Sequence, residues 1–332
     1  AAIARYKKDL EAAGDSVLLL DAGDACQGTP LVNLSMGKTA IEFMNAAGYD
    51  AITPGNHEFD WGLDNARQLA GLADFPMLSA NIINHLEGDL TFVAHKIFDM
   101  PNGMKVGVFG LTTPETMTKA HPDKVRGIDF LQAEALYEAA RQQVNQLQEA
   151  GADVIVLLSH LGMDEESRPN RSTDLLEQVS GIDLLIDGHS HTLLEEGLMV
   201  GETLVVSAGS LGAHLGLVVF EGEDISASLF TNLNQSATVT VDGQPYSALL
   251  AARLDAEVAR LVDTTDQAVK EELSQVFAKT EVLLNGERDP GNRTEETNLG
   301  DFAADAILWA AKEALGDQVV AAVTNGGGIR AS

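Results

Sequence analysis

The stretch from Thr53 to Gly62 reads TPGNHEFDWG, and within five residues it places an amide, an imidazole and two carboxylates: Asn56, His57, Glu58 and Asp60. Three other stretches share the pattern of an apolar run followed at once by ligand-type side chains. They are LLLDAGDACQG with Asp21 and Asp24, VLLSHLG with His160, and LLIDGHSHT with His189 and His191. Four of the 8 histidines thus stand directly after apolar runs. Neutral imidazole, carboxylate and amide oxygen suit borderline first-row cations such as Zn²⁺, Mn²⁺, Fe²⁺ or Co²⁺. One carboxylate can bridge two such ions about 3.5–4 Å apart, which makes a clamp for phosphoryl transfer. Taken singly, each loop also reads as an ordinary turn, since Asp and Asn favour turns after strands. An imidazole just past a buried strand, however, needs a partner, and the four loops together favour a site.

Such residues need elements that bring them together. Short runs rich in Val, Ile and Leu recur along the chain, among them SVLLLDAGD, YDAITPG, FPMLSAN, KVGVFGLTT, DVIVLLSHL, IDLLIDGHS, ETLVVSAG and LGLVVFEG. Runs of this kind predict strands buried on both faces. Helical periodicity lies between several of them: in LQAEALYEAARQQVNQLQEAG, Ala133, Leu136, Ala140, Val144 and Leu147 share one face and Gly151 closes the helix. Strands alternating with helices predict an α/β sheet, and in open α/β sheets sites form outside the carboxyl ends of the strands. Loops far apart in sequence can therefore converge there. Domain limits are expected at 1–240 for the first domain, 241–277 for a connecting helix, and 278–332 for the start of a second domain opening with a strand in QVFAKTEVLL and ending on one in QVVAAVTN.

Composition narrows the partners. The chain has 332 residues, 45% hydrophobic, a globular composition. Its 50 acidic and 21 basic residues give a formal net charge of -29, which repels a nucleic-acid polymer and gives no support to an anionic membrane. A small phosphorylated ligand stays open, because a few local cations can outweigh the mean field. With Cys26 as the only cysteine there is neither a disulfide framework nor a Cys-based zinc site. No run of about 18 apolar residues predicts a membrane span.

The pieces DAGDACQGTPL, PGNHEFDWG, LLSHLG, DGHSHT, TNLGDFAADA and TNGGGIRA, in this order, resemble the bacterial 5′-nucleotidase family of the calcineurin-like metallophosphoesterase superfamily, which also holds UDP-sugar hydrolases and 2′,3′-cyclic-nucleotide phosphodiesterases. The resemblance runs over essentially the whole chain. It implies a four-layer α/β/β/α metallophosphoesterase domain, a connecting helix, and part of an α/β nucleotide-binding domain. It implies two divalent metal ions (Mn, Zn, Co or Fe), with hydroxide held between them as nucleophile against a nucleoside monophosphate. Asp24 resembles the bridging carboxylate; Asn56, His160 and His189 would join it around one metal and His191 around the other. His57 resembles the catalytic histidine that donates to phosphate oxygens, with Asp60 orienting it, while Glu58 is left to satisfy backbone donors. Asp187 reads either as support for His189 or as a strand-end turn carboxylate.

On the substrate side, NGGGIR resembles the nucleoside-domain loop, with Asn325, Gly327 and Arg330 as contacts and Arg293 as a phosphate contact. Relatives begin with a strand ending in Asp-x-His, which completes the first metal; no such motif precedes Asp24, and the expectation is that this strand lies outside the chain. The resemblance also implies export to the periplasm or cell wall. Oligomeric state is not readable. The reading from another class is a catalytically inactive nucleotide-binding protein.

Overall fold

The computed structural model describes residues 1–85, 88–222, 224–231, 240–241, 244–245, 254–276, 278–287, 289–326 and 329. The chain divides into two compact units, Ala1–Glu272 and Leu273–Ser332. Among the described residues no helix is long and apolar enough to cross a membrane.

In the first unit the strands are β1 (Leu20–Asp21), β2 (Ala51–Ile52), β3 (Ile82–Asn84), β4 (His95–Asp99), β5 (Lys105–Thr112), β6 (Ile128–Phe130), β7 (Val154–His160), β8 (Leu184–Asp187), β9 (Leu198–Val200), β10 (Thr203–Val206), β11 (His214–Glu221) and β12 (Asp224–Thr231). The main sheet has the order β4-β5-β7-β8-β10-β9. Its four inner strands run parallel, with one antiparallel strand on each edge. β1 pairs with β2 in parallel, and β11 with β12 as an antiparallel hairpin.

The alternation of side chains across each strand builds the layers. Phe109, Leu111, Ile155, Leu157, Leu185 and Val205 point to one face, where they pack against Leu136, Ala140, Val144 and Leu147 of the helix Glu134–Glu149. Val106, Val108, Val156, Leu158, Leu184 and Leu204 point to the other, against Ala51 of β2 and the inner residues of the β11–β12 hairpin. Ile52, next to Ala51, faces outward into a third cluster with Ile41, Met44, Ala66 and Leu69 from the helices Lys38–Ala47 and Leu63–Leu72. The six-stranded sheet on one side and the pairs β1–β2 and β11–β12 on the other thus lie between two layers of helix, the α/β/β/α sandwich that the resemblance implies. Ala133 departs from the expected helical face: it precedes the helix, with a φ of 48°. The run FPMLSAN is no strand either, giving only single bridges at Met77 and Leu78.

The helix Ala256–Leu273 begins at Asp255, whose carboxylate accepts from the backbone N–H of Glu257 and Val258 and pairs with Lys8 of the helix Ala2–Ala13 at 2.6 Å. In the second unit Thr297 caps the helix Asn298–Leu315 by accepting from Gly300 N. Asn298 pins the preceding loop, donating to Leu283 O and accepting from Asn285 N. The stretches QVFAKTEVLL and QVVAAVTN carry no strand among the described residues. Val320 and Val323 are 84% and 92% exposed, so β-formers there meet neither a ladder partner nor a packed face, the two things that β propensity depends on.

Candidate metal centre

The ends of β1, β2, β7 and β8 supply the four loops singled out in the sequence. Three of their polar residues sit in the left-handed backbone region: Asp24 at φ 62°, His189 at φ 68° and His191 at φ 56°. That conformation is uncommon outside glycine and costs of order 1–3 kcal/mol for a residue held there, so the surrounding structure must over-determine it.

Two carboxylates sew the β1 and β2 loops together in opposite directions. Glu58 is fully buried, and it accepts from the backbone N–H of Asp24 (2.9 Å), Cys26 (3.1 Å) and Gly55 (2.6 Å). Burial, and then the charge of Asp24, push the Glu58 acid up, while the donated N–H groups pull it down. In return, His57 N donates to Asp24 Oδ1 at 2.8 Å. Deeper in, Asn81 grips both backbone groups of Thr112, and Thr112 Oγ1 donates to Pro54 O, which anchors the β2 loop to the end of β5. The His57 ring projects from this braced loop with Nδ1 2.8 Å from Asp60 Oδ2. That hydrogen bond raises the His57 pKa; burial opposes it, and the charges of Asp24 and Asp60 add to it.

His160 occupies the centre. It is buried, its Nδ1 donates to Ala22 O at 2.5 Å, and its Nε2 lies 3.1 Å from Asp24 Oδ2. Glycine is required around the ring: a Cβ on Gly23 or Gly188 would come within 2.9 Å of Nδ1, and one on Gly55 within 2.7 Å of Cε1 and Nε2. Burial pulls the His160 pKa down, but the Asp24 charge overrides it and lifts the ring to about 9. Asp24 moves the opposite way: burial pushes it up, and the His160 charge takes it well below the usual carboxylate range.

The His189 ring centre is 5.2 Å from that of His160. Its Nε2 is 3.1 Å from Glu115 Oε2, and Lys119 Nζ lies 2.7 Å from the same oxygen and 3.3 Å from the ring nitrogen. Burial would raise Glu115, but Lys119 foremost among its polar neighbours holds it down at about 2. His189 is lowered by burial and by His160. Asp187 touches neither histidine by hydrogen bond. It accepts from Ser172 Oγ (2.5 Å) and Gly162 N (3.2 Å), so its carboxylate braces the loop after β7.

Ligand atoms of Asp24, His160 and His189 all lie within 4.8 Å of one another. Asn56 Oδ1 is buried with no hydrogen-bond partner, while His160 Nε2 faces the Asp24 carboxylate at 3.1 Å. An unpaired buried polar atom such as Asn56 Oδ1 costs about 1–3 kcal/mol, a cost that a cation beside it removes. The oxygen and nitrogen donor set fits a divalent first-row ion. His191 is exposed and stands outside that group. Arg293, exposed, and Asn325 belong to the second unit, and Gly327 and Arg330 lie outside the described residues. Glu115 and Lys119 were not singled out from sequence, although TTPET follows β5 by the same strand-end rule that found the others. Outside the four loops, His214 has a buried Nδ1 with no hydrogen-bond partner.

Residues 1–193 match the family described as calcineurin-like phosphoesterase. The chain is 35% identical to the trifunctional nucleotide phosphoesterase protein YfkN of Bacillus subtilis, over 95% of this chain and 22% of that protein. It is 30% identical to the 5′-nucleotidase of Vibrio cholerae, over 99% of this chain and 63% of that protein. Among solved structures, a 5′-nucleotidase precursor from Thermus thermophilus aligns with a TM-score of 0.66 at 28% identity, covering 94% of this chain and 61% of its own. The chain thus spans less than two thirds of each of these relatives. Phosphoesterases of this family use divalent metals, and the cluster at Asp24 fits one. With more than half of its length matched, on a sandwich that carries such a cluster at its strand ends, the chain belongs to the calcineurin-like phosphoesterase family.

Proposed function

We propose that this chain carries the catalytic part of a divalent-metal-dependent phosphoester hydrolase that releases phosphate from nucleoside monophosphates. The observation behind this reading is the convergence of Asp24, His160 and His189 on one point, with Asn56 Oδ1 unpartnered and His57 on the same loop. The names of the relatives, 5′-nucleotidase and nucleotide phosphoesterase, support the substrate class. Asp24, Asn56, His160 and His189 would hold one cation, and Asp24 with His191 would serve a second. Mn, Zn, Co or Fe suits these donors. A divalent cation supplies Lewis acidity, screening phosphate oxygens and making water acidic enough to attack near neutral pH.

The residues of the chain do the rest. Asp24 would lend its charge to both ions, and the backbone N–H of His57 fixes its orientation. His57, whose proton the hydrogen bond to Asp60 makes harder to lose, donates to a phosphate oxygen as charge builds there. Hydrolysis joins the oxygen of water to phosphorus, and the nucleoside oxygen leaves with a proton. Asn325, Gly327, Arg330 and Arg293 are assigned to the nucleotide.

Phosphate release from AMP, assayed with and without EDTA, tests this reading. The expected result is a rate that EDTA abolishes and Mn²⁺, Co²⁺ or Zn²⁺ restores. The substitution His57→Ala should lower it about 10²–10³-fold, the usual loss for one transition-state donor, with metal content unchanged. Stabilisation by AMP with no turnover in any metal would support the binding-protein reading and overturn this one.

A further inference from the structure

A histidine that binds a metal through one ring nitrogen needs an acceptor on the other, because that hydrogen bond sets both tautomer and ring angle. The two histidines of the cluster meet this need differently. His160 uses a backbone carbonyl, Ala22 O, and the glycines around it leave the ring no room to turn. Glycine meets the His189 ring less tightly, a Cβ on Gly162 coming 3.2 Å from Cδ2. The His189 side chain is 7% exposed, and the acceptor at its Nε2 is the Glu115 carboxylate, delivered by a loop 74 residues away in sequence. With Nε2 engaged there, Nδ1 is the nitrogen left for Asp24 and His160. Glu115 is anchored in turn by Lys119, one helical turn on.

We propose that Glu115 is the positioning residue of His189: its carboxylate takes the Nε2–H, fixes the tautomer with Nδ1 free, and aims that nitrogen at the cluster. Lys119 keeps the carboxylate in place at 2.7 Å; its ammonium also lies 3.3 Å from Nε2 and can only donate there, and the shorter carboxylate contact at 3.1 Å is the one that sets the tautomer. This rests on the metal-centre reading above. It adds a point that the strand-end motifs do not contain. Metal affinity at the cluster is set partly by a carboxylate and an ammonium group on a different loop, after β5. An ionised carboxylate accepts only, so it imposes one tautomer. An amide in its place can donate to Nε2 instead, and the ring would then carry its proton on Nδ1, where it cannot bind a cation.

The test is Co²⁺ binding to the whole chain by calorimetry and by the visible spectrum of bound Co²⁺, for the wild type and for Glu115→Gln, Glu115→Ala and Lys119→Met. Tautomers of the His189 ring are read in the metal-free protein by nitrogen-15 NMR. The expected result is a loss of Co²⁺ affinity of about 10–100-fold in both Glu115 variants, with a changed Co²⁺ spectrum and, in Glu115→Gln, a mixed tautomer population. Lys119→Met should lose less than either. The isosteric Glu115→Gln keeps the site packed, and its melting temperature in EDTA should match the wild type. If the wild type takes up no Co²⁺, the metal-centre reading fails and this inference with it. If the wild type binds and both Glu115 variants bind equally well with the wild-type spectrum and tautomer, the positioning role alone is overturned.

Discussion

The loop that carries His57 and the loop that carries His189 do similar work with opposite construction. The first is braced from inside, by a carboxylate with no exposure at all: Glu58 collects three backbone N–H groups from two loops. The second is braced from outside, by Glu115 at 20% side-chain exposure and Lys119 at 52%. A brace buried in the fold cannot be altered without altering stability. A brace at the rim can be altered with the fold intact, and then only the chemistry moves. The difference separates residues that build this site from residues that tune it.

The contrast is broken most directly at Glu58. Glu58→Ala leaves three buried donors without an acceptor and should cost about 3–5 kcal/mol of unfolding free energy, measured by urea titration in EDTA. A loss under about 1 kcal/mol would mean that the inner brace is no more structural than the outer one. Next in size is the response to metal. At a free concentration 100 times Kd, Mn²⁺ should stabilise the chain by about 2.7 kcal/mol. In the metal-free protein His160 keeps its proton up to about 9, so binding near neutral pH must expel it. Affinity should therefore weaken as the pH falls, and calorimetry in buffers of different ionisation enthalpy should show the released proton. Uptake with no proton release would take His160 out of the ligand set.

Smaller effects sharpen the comparison. Asp60 raises the His57 pKa, and the protonated ring is the form that donates. Asp60→Asn lowers that pKa, so the alkaline fall in phosphate release should begin at lower pH while the acid side stays put. An unmoved alkaline limb would separate Asp60 from the titration. The smallest effect belongs to the helix Ser172–Leu176, which supports the second loop through Ser172 and Asp187. There Arg171 holds the Asp174 carboxyl below its ordinary value. A depressed folded value gives stability that is present above the unfolded pKa and lost as pH falls through the folded one. Asp174→Asn should remove that acid sensitivity and cost no more than about 1 kcal/mol at pH 7, seen as a shallower fall in melting temperature below pH 4.

The convergence of the candidate ligands was legible in the sequence because they follow strand ends, and buried parallel strands announce themselves as short runs of Val, Ile and Leu. Asp24, His160 and His189 were found in that way, and the spare role given to Glu58 matches its three backbone contacts. Glu115 was missed because nothing in TTPET marks a partner 74 residues away; a single carboxylate in a turn is ordinary until the fold puts a ring beside it. The strands expected in the second unit were missed for the opposite reason. Their local pattern is sound, but β propensity is realised only against a neighbouring strand, and among the described residues none lies beside them.

The glycine cradle around His160 also bears on the order of assembly. The ring and the Ala22 carbonyl that it grips are 138 residues apart. During synthesis, β1 and β2 leave the ribosome long before β7 exists. Until then Gly23 and Gly55 face a gap where the imidazole will sit, and glycine holds its backbone less firmly than any other residue. A nascent chain that stops short of His160 thus carries Asp24 and Asn56, the two oxygen donors of the proposed cluster, and neither His160 nor His189. Closure of a contact so distant is slow compared with helix formation. The metal site should be among the last features of the first unit to form, arriving in one step as the imidazole seats.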